Sequence, residues 1–465
     1  MALTFIGTDT DGFLATANAE MVVVVRTGRL SVPGFGDAFS FAGLSGVHLV
    51  VQGSVFSEDS DGVSSDSASS SARVTIDAGG TVVGGSDGVE LLGANHTIVN
   101  AGLIRGAGDA AAQVLGDGAT IINTGQLFGL RGISIQGLGA DVSNLGLINA
   151  ESSAIAFGIG IEVGGDAKVS NTGTVSASQV GVGFTAGGST LINTGEIVSR
   201  ADRAVEASSG TDVVRNSGDI FGTLLLRQGD DVLRMSGGEI VGDVDMGEDE
   251  DLFAFAAGVV QGDVRLGEDA DVMRIGTGVV GGDLDAGLGA DVVKLGAGIV
   301  QGDVLMASGN DVFRAGSGQV LGVIDLGVGG DKAWGGAADE VIFGDGGPDV
   351  LRGRGGDDEL NGGDSSDQLI GGADDDLLTG GGSSDIFRFG RRSGDDVITD
   401  FQNGTDRIDL SRLVIVGDAV AAIKAAARDF GAGVSLIDLD KLGGHGSIEV
   451  VGLTKAQMTL DDFIV

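Results

Sequence analysis

Residues 344–388 read GDGGPDVLR, GRGGDDELN, GGDSSDQLI, GGADDDLLT and GGGSSDIFR when they are divided into units of nine. Glycine opens every unit, an aspartate stands at the sixth position, and an apolar residue stands at the eighth. A fixed period indicates stacked structural repeats that share a core. Glycine and aspartate are also common turn residues, so a solvated linker is the alternative. The hydrophobic residue in every unit favours the stack.

The glycines and acids of these units suit a hard cation. Ca²⁺ takes about six to eight oxygen ligands from carboxylates and backbone carbonyls, so its binding loop must curl around the ion. Glycine reaches backbone angles that are closed to most residues, and the sixth-position acid adds a negative ligand. We therefore predict several bound Ca²⁺ ions. The candidate metal residues are Asp331, Glu340, Gly344, Gly346, Asp349, Gly353, Gly355, Asp358, Gly362, Asp367, Gly371, Asp376, Gly380, Gly382 and Asp385.

The units resemble the GGxGxDxUx nonapeptide of RTX proteins, the haemolysin-type calcium-binding repeat. The resemblance implies that two units form one coil of a parallel β-roll. Asp349, Asp367 and Asp385 would then line one edge of the roll. Asp358 and Asp376 would line the other.

The motif weakens at some positions. The fourth residue, glycine in the motif, is Ser365, Asp374 and Ser383 in the last three units, and we expect looser calcium sites there. Glu340 carries one methylene more than the usual aspartate, which puts the occupancy of its site in doubt.

A second repeat, of 20 residues, precedes the first. Its aspartates are Asp231, Asp251, Asp271, Asp291 and Asp311, and the next step is Asp331. Apolar residues recur two, nine and thirteen positions after each aspartate, as in Leu233, Ile240 and Val244. Short alternating segments separated by glycine indicate strands, so we predict five stacked coils. We include the five aspartates among the calcium candidates; for the column Asp243, Asp263, Asp283 and Asp303 we expect turn hydrogen bonds and water.

A third, looser repeat lies upstream. The phrase N-x-G recurs at Asn100, Asn123, Asn144, Asn171, Asn193 and Asn216. Asparagines at equivalent turns can form a hydrogen-bonded ladder along a parallel stack, so these coils read as a β-helix. Met21–Val25 and Val47–Val51 read as further strands, Ser57–Ser71 as an exposed flexible loop, and His96 as a surface or turn residue.

The predicted fold class is all-β: a parallel β-helix or β-solenoid continuing into a calcium-binding RTX β-roll, with a small C-terminal cap containing one helix. The predicted boundaries are 1–71 for an N-terminal β region with the Ser/Asp-rich loop, 72–225 for the N-x-G β-helix, 226–330 for the 20-residue coils, 331–392 for the β-roll, and 393–465 for the cap and secretion signal.

The C-terminal region carries a further resemblance. SGDDVITDFQNGTDRIDLSR (393–412) and GLTKAQMTLDDFIV (452–465) resemble the cap and tail of RTX proteins exported by type I secretion. The resemblance implies an uncleaved C-terminal signal, with Asp400 and Asp406 helping to close the last calcium sites. Asp418 is predicted to cap a helix that runs to Asp429 and stops at Gly431.

Composition and charge limit the class of protein. With 88 Gly, 2 Pro, no Cys and 42% hydrophobic residues, a long regular core is available without disulfides. A net charge of −40 opposes compaction, and bound calcium would relieve it. A polyanion would be repelled, so nucleic acid is excluded as a partner. No cleavable signal peptide and no transmembrane segment are visible.

The residues do not supply a catalytic set, so we predict that the chain is not an enzyme. HExxH is absent, there are three His and no Tyr, and Gly84–Gly88 fits GxSxG only within a Gly-rich turn. We expect a secreted protein that folds on calcium outside the cell and self-assembles at the cell surface as a layer, filament or matrix. The alternatives are an adhesin and a β-helical polysaccharide lyase or epimerase. Expected partners are further copies of the chain, the type I secretion apparatus, and cell-surface polysaccharide or lipopolysaccharide.

Overall fold

A computed structural model describes residues 3–9, 12–151, 158–431 and 433–465. The chain divides into two compact units, Met1–Gly247 (unit 1) and Glu248–Val465 (unit 2). Each unit is a β-solenoid of short parallel strands, as the periodicities predict. Nearly every coil turns at glycine, and the alternating residues between turns place one side chain inside and the next outside.

Unit 1 is built from short strands that wind through successive coils. They are β1 (Leu3–Asp9), β2 (Phe13–Leu14), β3 (Met21–Val32), β4 (Phe39–Phe41), β5 (His48–Val51), β6 (Ser54–Ser57), β7 (Val63–Ser65), β8 (Arg73–Ile76), β9 (Thr81–Gly84), β10 (Val89–Leu92), β11 (Thr97–Asn100), β12 (Leu103–Gly106), β13 (Ala110–Leu115), β14 (Thr120–Asn123), β15 (Gln126–Gly129), β16 (Arg131–Ile135), β17 (Asp141–Asn144), β18 (Leu147–Ala150), β19 (Ile159–Val163), β20 (Lys168–Asn171), β21 (Thr174–Ala177), β22 (Val180–Phe184), β23 (Thr190–Asn193), β24 (Glu196–Glu206), β25 (Val213–Asn216), β26 (Asp219–Leu225), β27 (Val232–Val241) and β28 (Val244–Gly247).

The core of unit 1 is made of in-register stacks. Val74 lies opposite Ile98, and Ile98 lies opposite Ile121 on the following coil. The full stack is Val74, Ile98, Ile121, Val142, Val169, Leu191 and Val214, all fully buried. Burying one such side chain contributes about 1.5–3 kcal/mol, so a stack that repeats in every coil accounts for stability without large aromatic residues.

The N-x-G asparagines form the predicted ladder. Each amide Nδ2 donates to Oδ1 of the asparagine one coil further on, at 2.8 Å, from Asn100 to Asn216. These asparagines are buried, so the ladder satisfies polar groups that would otherwise be costly to bury. The glycine two residues later is needed for space, since a Cβ on Gly125 would collide with the carbonyl oxygen of Gly102.

The predicted flexible loop at Ser57–Ser71 is wrong. Residues 61–65 are buried and include β7, which pairs in parallel with β4 and β10. The serines can be buried because their hydroxyls have partners: Ser64 Oγ donates to Asp37 Oδ2 at 2.6 Å, and Ser69 Oγ donates to the carbonyl of Phe41 at 2.9 Å. The segment is one more coil of the solenoid.

His96 lies in a turn, but it is fully buried and not at the surface. Its Nδ1 accepts from the backbone N–H of Ala72 at 3.2 Å, and its Nε2 lies 2.9 Å from the carbonyl oxygen of Leu92. Burial lowers the pKa of the imidazole. The side chain therefore bridges backbone groups of neighbouring segments as a neutral ring.

Unit 2 continues the same architecture and ends in the cap. Its strands are β29 (Leu252–Val260), β30 (Val264–Glu268), β31 (Val272–Ile275), β32 (Val279–Val280), β33 (Leu284–Leu288), β34 (Val292–Leu295), β35 (Ile299–Val300), β36 (Val304–Leu305), β37 (Ser308–Gly309), β38 (Val312–Arg314), β39 (Gln319–Val320), β40 (Ile324–Asp325), β41 (Val328–Gly329), β42 (Lys332–Trp334), β43 (Val341–Phe343), β44 (Val350–Gly355), β45 (Glu359–Gly363), β46 (Gln368–Ala373), β47 (Leu377–Gly381), β48 (Ile386–Arg388), β49 (Gly394–Ile398), β50 (Arg407–Asp409), β51 (Ala427–Asp429), β52 (Val434–Asp438), β53 (Gly446–Val451) and β54 (Phe463–Ile464).

The eighth-position residues of the nonapeptide units form the core of the β-roll, as predicted. Ile342, Leu351, Leu360, Leu369, Leu378 and Phe387 are all fully buried. Leu351 lies opposite Leu369 and Leu360 lies opposite Leu378, so residues 18 apart stack. Two nine-residue units therefore make one coil.

The cap contains one α-helix among the described residues, α1 (Ala419–Ala426), and two short 3₁₀ helices, Leu439–Leu442 and Leu460–Asp462. Asp418 caps α1 by accepting from the N–H of Ala421 at 3.1 Å, as predicted. The helix ends before Asp429, earlier than predicted, because β51 pairs antiparallel with β52. No described helix has the length and apolar character needed to span a bilayer.

Candidate calcium-binding centre

One acidic edge of unit 2 is organised by an aspartate ladder, which we call the first ladder. The backbone N–H of each member donates to Oδ1 of the next, at 2.6–3.0 Å. The members are Asp251, Asp271, Asp291, Asp311, Asp331, Asp349, Asp367, Asp385 and Asp406. The 20-residue and nine-residue repeats therefore use one hydrogen-bond rule.

The opposite edge of the β-roll carries a second ladder. Its members are Glu340, Asp358, Asp376 and Asp396, and the same N–H to Oδ1 bonds measure 2.8–3.1 Å. The predicted division of the nonapeptide acids between two edges is confirmed. Asp396 was not among the predicted residues.

In the nonapeptide units, the second oxygen of the ladder carboxylate is buried and has no partner among the described residues. Among the described residues, nothing hydrogen-bonds to Oδ2 of Asp349, Asp358, Asp367, Asp376 or Asp385. Burial raises the pKa of Asp367 to about 7 and that of Asp358 to about 8, and neighbouring carboxylates add to both shifts. Such an oxygen is stabilised by a proton or a cation, because an ionised group is costly to bury alone.

The first-position glycines leave room beside those oxygens. A Cβ on Gly344 would lie 2.6 Å from Asp349 Oδ2 and 2.6 Å from the carbonyl oxygen of Gly362. A Cβ on Gly362 would lie 2.5 Å from Asp367 Oδ2. Gly353, Gly371 and Gly380 stand in the same way against Asp358, Asp376 and Asp385. A carboxylate oxygen thus faces each first-position glycine, and a carbonyl oxygen joins it at Gly344 and Gly362. Carboxylate and carbonyl oxygens are the donors that Ca²⁺ takes.

The conformational reason predicted for Gly346 and Gly355 is wrong. Their φ angles are not positive, the space around them is open, and the same holds for Gly382. Left-handed backbone occurs instead at the second and fourth positions of each unit, as at Arg354 (φ 86°) and Gly356 (φ 102°). A Cβ at the third position would therefore clash with nothing. That the carbonyl groups of these glycines bind calcium stays a prediction.

The three fourth-position substitutions keep the turn conformation. Ser365, Asp374 and Ser383 have φ angles of 85°, 76° and 82°. A residue other than glycine held there costs about 1 kcal/mol or more. The last three nonapeptide units therefore keep the loop shape with a strained backbone. Weaker calcium binding in these units stays a prediction.

Glu340 reaches the second ladder despite its extra methylene. Its Oε2 accepts from the N–H of Gly336 at 3.0 Å, and its buried Oε1 has no described partner. A Cβ on Gly335 would lie 2.6 Å from Oε2. The glutamate thus stands against a glycine, but with its hydrogen-bonded oxygen, whereas the aspartates face their glycines with the oxygen that has no described partner.

The cap acids differ in their free oxygens. Both oxygens of Asp400 accept backbone N–H groups, from Gly380 at 2.9 Å and Gly381 at 2.7 Å. Both oxygens of Asp406 likewise accept backbone N–H groups, from Asp385 and Gln402. Asp396 keeps a buried Oδ2 with no described partner.

The sequence contained a signal for Asp396. In RRSGDDVIT (391–399), glycine stands at the fourth position, Asp396 at the sixth and Ile398 at the eighth. The two preceding residues, Phe389 and Gly390, break the nine-residue count and hide the frame. Asp212, in GTDVV, was missed for the same reason; its Oδ1 accepts from the N–H of Ser189 at 2.7 Å in unit 1.

The 20-residue aspartates share only part of this geometry. Oδ2 of Asp271, Asp291 and Asp311 is buried without a described partner. The residue five positions before each is apolar and buried (Leu266, Ala286 and Met306), where the nonapeptide units have glycine. The cradle is therefore not repeated, and calcium binding at the Asp231 to Asp311 column stays a prediction.

The neighbouring columns behave as turn and solvated positions. The N–H of Asp283 donates to Asp263 Oδ1 at 3.1 Å on an exposed turn, which is the turn chemistry predicted. Trp334 contacts two cations: the guanidinium of Arg314 is 4.6 Å and that of Arg352 is 5.7 Å from the ring centroid.

Comparison with known proteins agrees with this geometry. Residues 334–369 and 361–391 match the RTX calcium-binding nonapeptide repeat (4 copies). The chain therefore carries several RTX calcium-binding repeats within a β-solenoid, and proteins with such repeats are typically secreted. A search of curated proteins found no match.

Two solved structures share local similarity. One is the solution structure of a subunit of the Azotobacter vinelandii mannuronan C5-epimerase, at 24% identity over 34% of this chain and 80% of that one, with a TM-score of 0.18. The other is the extracellular lipase LipA from Serratia marcescens, at 14% identity over 59% of this chain and 40% of that one, with a TM-score of 0.21. At these scores neither structure bears on the function of this chain.

Proposed function

We propose that this chain is a secreted structural protein that folds when it binds Ca²⁺ outside the cell and then self-assembles at the cell surface. The observation that carries the calcium step is the set of buried carboxylate oxygens along both edges of the β-roll that have no partner among the described residues. Export would use the C-terminal region and a type I secretion apparatus.

The coupling of folding to calcium follows from charge. The chain has a net charge of −40. The ladder carboxylates become ionised near neutral pH, and burial of the ionised form is destabilising. A cation placed between a carboxylate and a carbonyl oxygen removes that cost, and its binding free energy becomes folding free energy. At the low calcium concentration expected inside a cell, the repeats would stay unfolded until export.

Self-assembly is supported by an open sheet edge in unit 1. Strand β1 pairs with β3 along one edge, and no described strand pairs with the other. An exposed strand edge is a template for pairing with another chain. A second copy of the chain is the expected partner, because its strands have the same spacing along the solenoid.

Electron microscopy of the full chain with and without calcium tests the proposal. Filaments or lattices that form only with calcium are the expected result. Monodisperse particles in calcium, at concentrations up to those of a surface protein, would overturn self-assembly. Circular dichroism on the same samples reports folding separately, so a calcium-folded monomer can be recognised.

An adhesin is the second candidate, favoured by a cleft of about 410 Å³ in unit 1. Arg105, Phe128, Asn149 and Glu151 line it and offer an aromatic face, charges and an amide. Such groups suit a cell-surface polysaccharide or lipopolysaccharide, and binding of these by the monomer would favour this candidate. Depolymerisation of an added polysaccharide would instead reveal a lyase; we propose that the chain is not an enzyme.

A further inference from the structure

A separate cluster of carboxylates lies in unit 1, far from the nonapeptide repeats in sequence. Asp61, Asp87 and Glu90 each place a carboxylate oxygen within 4.8 Å of the others. Asp61 is 9% exposed and Asp87 is 5% exposed, while Glu90 is half-buried. No residue of the cluster belongs to a repeat that predicts a metal.

The solenoid brings these residues together from adjacent coils. Asp87 lies in the turn after β9, and Glu90 follows on β10; Asp61 lies one coil earlier. The N–H of Asp87 donates to Asp61 Oδ1 at 3.1 Å, and Asp87 Oδ1 accepts from the N–H of Ala110 at 2.6 Å. Backbone hydrogen bonds therefore hold the two aspartates in place.

The cluster carries uncompensated negative charge. Burial, together with the neighbouring carboxylates, raises the pKa of Glu90 to about 7 and that of Asp87 to about 6. The carboxylate of Asp37 adds to the repulsion at Glu90. Arg131 pairs with Asp109 and with Glu162 rather than with the cluster.

Gln113 carries a neutral oxygen on the adjacent coil, beside Glu90. It lies directly opposite Glu90 on the adjacent parallel strand, so both side chains leave the same face of the sheet. Gln113 is 8% exposed, and its Oε1 has no hydrogen-bond partner among the described residues. A buried amide oxygen without a donor is destabilising, and a bound cation would remove that cost.

We propose that the three carboxylates and the Gln113 amide oxygen bind one Ca²⁺ ion that joins adjacent coils of unit 1. All four ligands are oxygens, as a hard cation requires. The carboxylate oxygens lie within 4.8 Å of one another, close enough to share one ion. Ca²⁺ accepts the irregular geometry that side chains from adjacent coils offer, whereas Mg²⁺ requires near-ideal octahedral contacts.

The same distances argue against a catalytic carboxylate pair. Glycoside hydrolysis places its two carboxyl groups about 5–9.5 Å apart across an open sugar site. Here Asp61 and Asp87 are buried and linked through the backbone, so a sugar ring has no room between them. The ion instead links the coil of Asp61 to that of Asp87 and Glu90, and links both to the coil of Gln113.

Calcium stoichiometry of the full-length protein tests the site. We would measure bound calcium by equilibrium dialysis for wild type, Glu90→Gln, Gln113→Leu and the control Asp141→Asn, which alters an exposed acid of the same unit. We expect one calcium fewer in Glu90→Gln and about tenfold weaker binding at one site in Gln113→Leu, with the control unchanged. Glu90 holds no backbone group by a recorded hydrogen bond, so its isosteric replacement should fold.

Hydrogen exchange gives a local readout that the nonapeptide sites do not affect. Calcium should slow exchange at the amides of Asp87 and Ala110 in wild type and not in Glu90→Gln. Equal stoichiometry in wild type and both site variants, or unchanged local exchange, would overturn the proposal. Equal occupancy by Mg²⁺ would overturn the calcium assignment. Loss of calcium from the nonapeptide repeats alone would leave these local differences intact.

Discussion

The backbone N–H of Asp331 donates a 2.7 Å hydrogen bond to Oδ1 of Asp349. Asp331 closes the 20-residue series, and Asp349 lies 18 residues further on, in the nonapeptide series. This bond therefore joins two repeats of different length within one ladder. The coil can lose two residues at the junction because the bond depends on the turn carrying the aspartate and not on the length of the remaining coil.

Removing calcium should unfold the β-roll. One site held at 100 times its dissociation constant contributes about 2.7 kcal/mol, and the roll offers several. We expect a large loss of β-structure by circular dichroism when calcium is dialysed away, with recovery when it is returned. Mg²⁺ should not restore the signal, because it requires shorter, octahedral contacts. A spectrum that is the same without calcium would contradict calcium-coupled folding.

Asp367→Asn should weaken calcium binding by at least about tenfold at its site, equal to ~1.4 kcal/mol. The amide can still accept the N–H of Asp349, but the negative ligand is lost. The matched control is Asp364→Asn, at an exposed position of the same nonapeptide. It should change the free energy of unfolding by less than about 0.5 kcal/mol. Calorimetric calcium titration of both variants measures the difference.

The same Asp367→Asn change should have the opposite sign without calcium. In the metal-free chain the ionised Asp367 is buried, with its pKa raised to about 7. At pH 8 the substitution should therefore raise the stability of the metal-free state, or leave it unchanged. Equal destabilisation with and without calcium, measured by denaturant unfolding, would point to packing rather than to a metal ligand.

The metal-free protein should become more stable as the pH falls from 8 to 5. Burial raises the folded-state pKa of Asp376 to about 7 and that of Asp396 to about 8. A raised pKa in the folded state contributes stability below the unfolded value of about 3.9 and loses it as the pH rises through the folded value. Circular dichroism of the dialysed protein across this range, at constant ionic strength, should show β-structure returning as the pH falls.

Asp396→Asn should weaken calcium binding, and Asp400→Asn should not. Asp396 has a buried oxygen without a described partner, whereas both oxygens of Asp400 already accept backbone N–H groups. Asp400→Asn should lower stability through those bonds while leaving the calcium stoichiometry unaltered. The reverse result would make Asp400 the ligand that closes the second edge.

Asn144→Ala should destabilise unit 1 by about 2–4 kcal/mol, because two ladder bonds are lost and their partners on Asn123 and Asn171 stay buried. Asn149→Ala, at a half-exposed position nearby, should have little effect. Denaturant unfolding at fixed calcium compares the two. Matching effects would show that the ladder contributes no more than surface packing.

Much of the fold could be predicted because the repeats are local. The apolar positions of each unit, such as Leu351 and Leu369, stack as their spacing indicates. The helix start at Asp418 was equally visible, since capping involves only neighbouring residues. Its end was not, because the pairing of Ala427–Asp429 with β52 competes with helix formation.

The burial of polar residues was the main feature that could not be predicted from the sequence. The serines near Val63 and the imidazole of His96 are exposed types on average, and their sequence context gave no sign of their partners. Ser69 bonds to Phe41 and His96 bonds to Ala72, in each case across adjacent coils. Contacts between residues about a coil apart become visible only once the register is known.

The sequence by itself determined the repeat lengths, the coil cores and the acids of the β-roll, because each follows from residue type at a fixed spacing. The tertiary structure decided which oxygens remain available. Both oxygens of Asp400 accept backbone N–H groups, whereas one oxygen of Asp396 has no described partner. Asp61, Asp87 and Glu90 come together although no sequence repeat predicts their cluster. The reason is that the adjacent coils supply the hydrogen-bond donors. A carboxylate is a candidate calcium ligand only where these coils leave one of its oxygens without a donor.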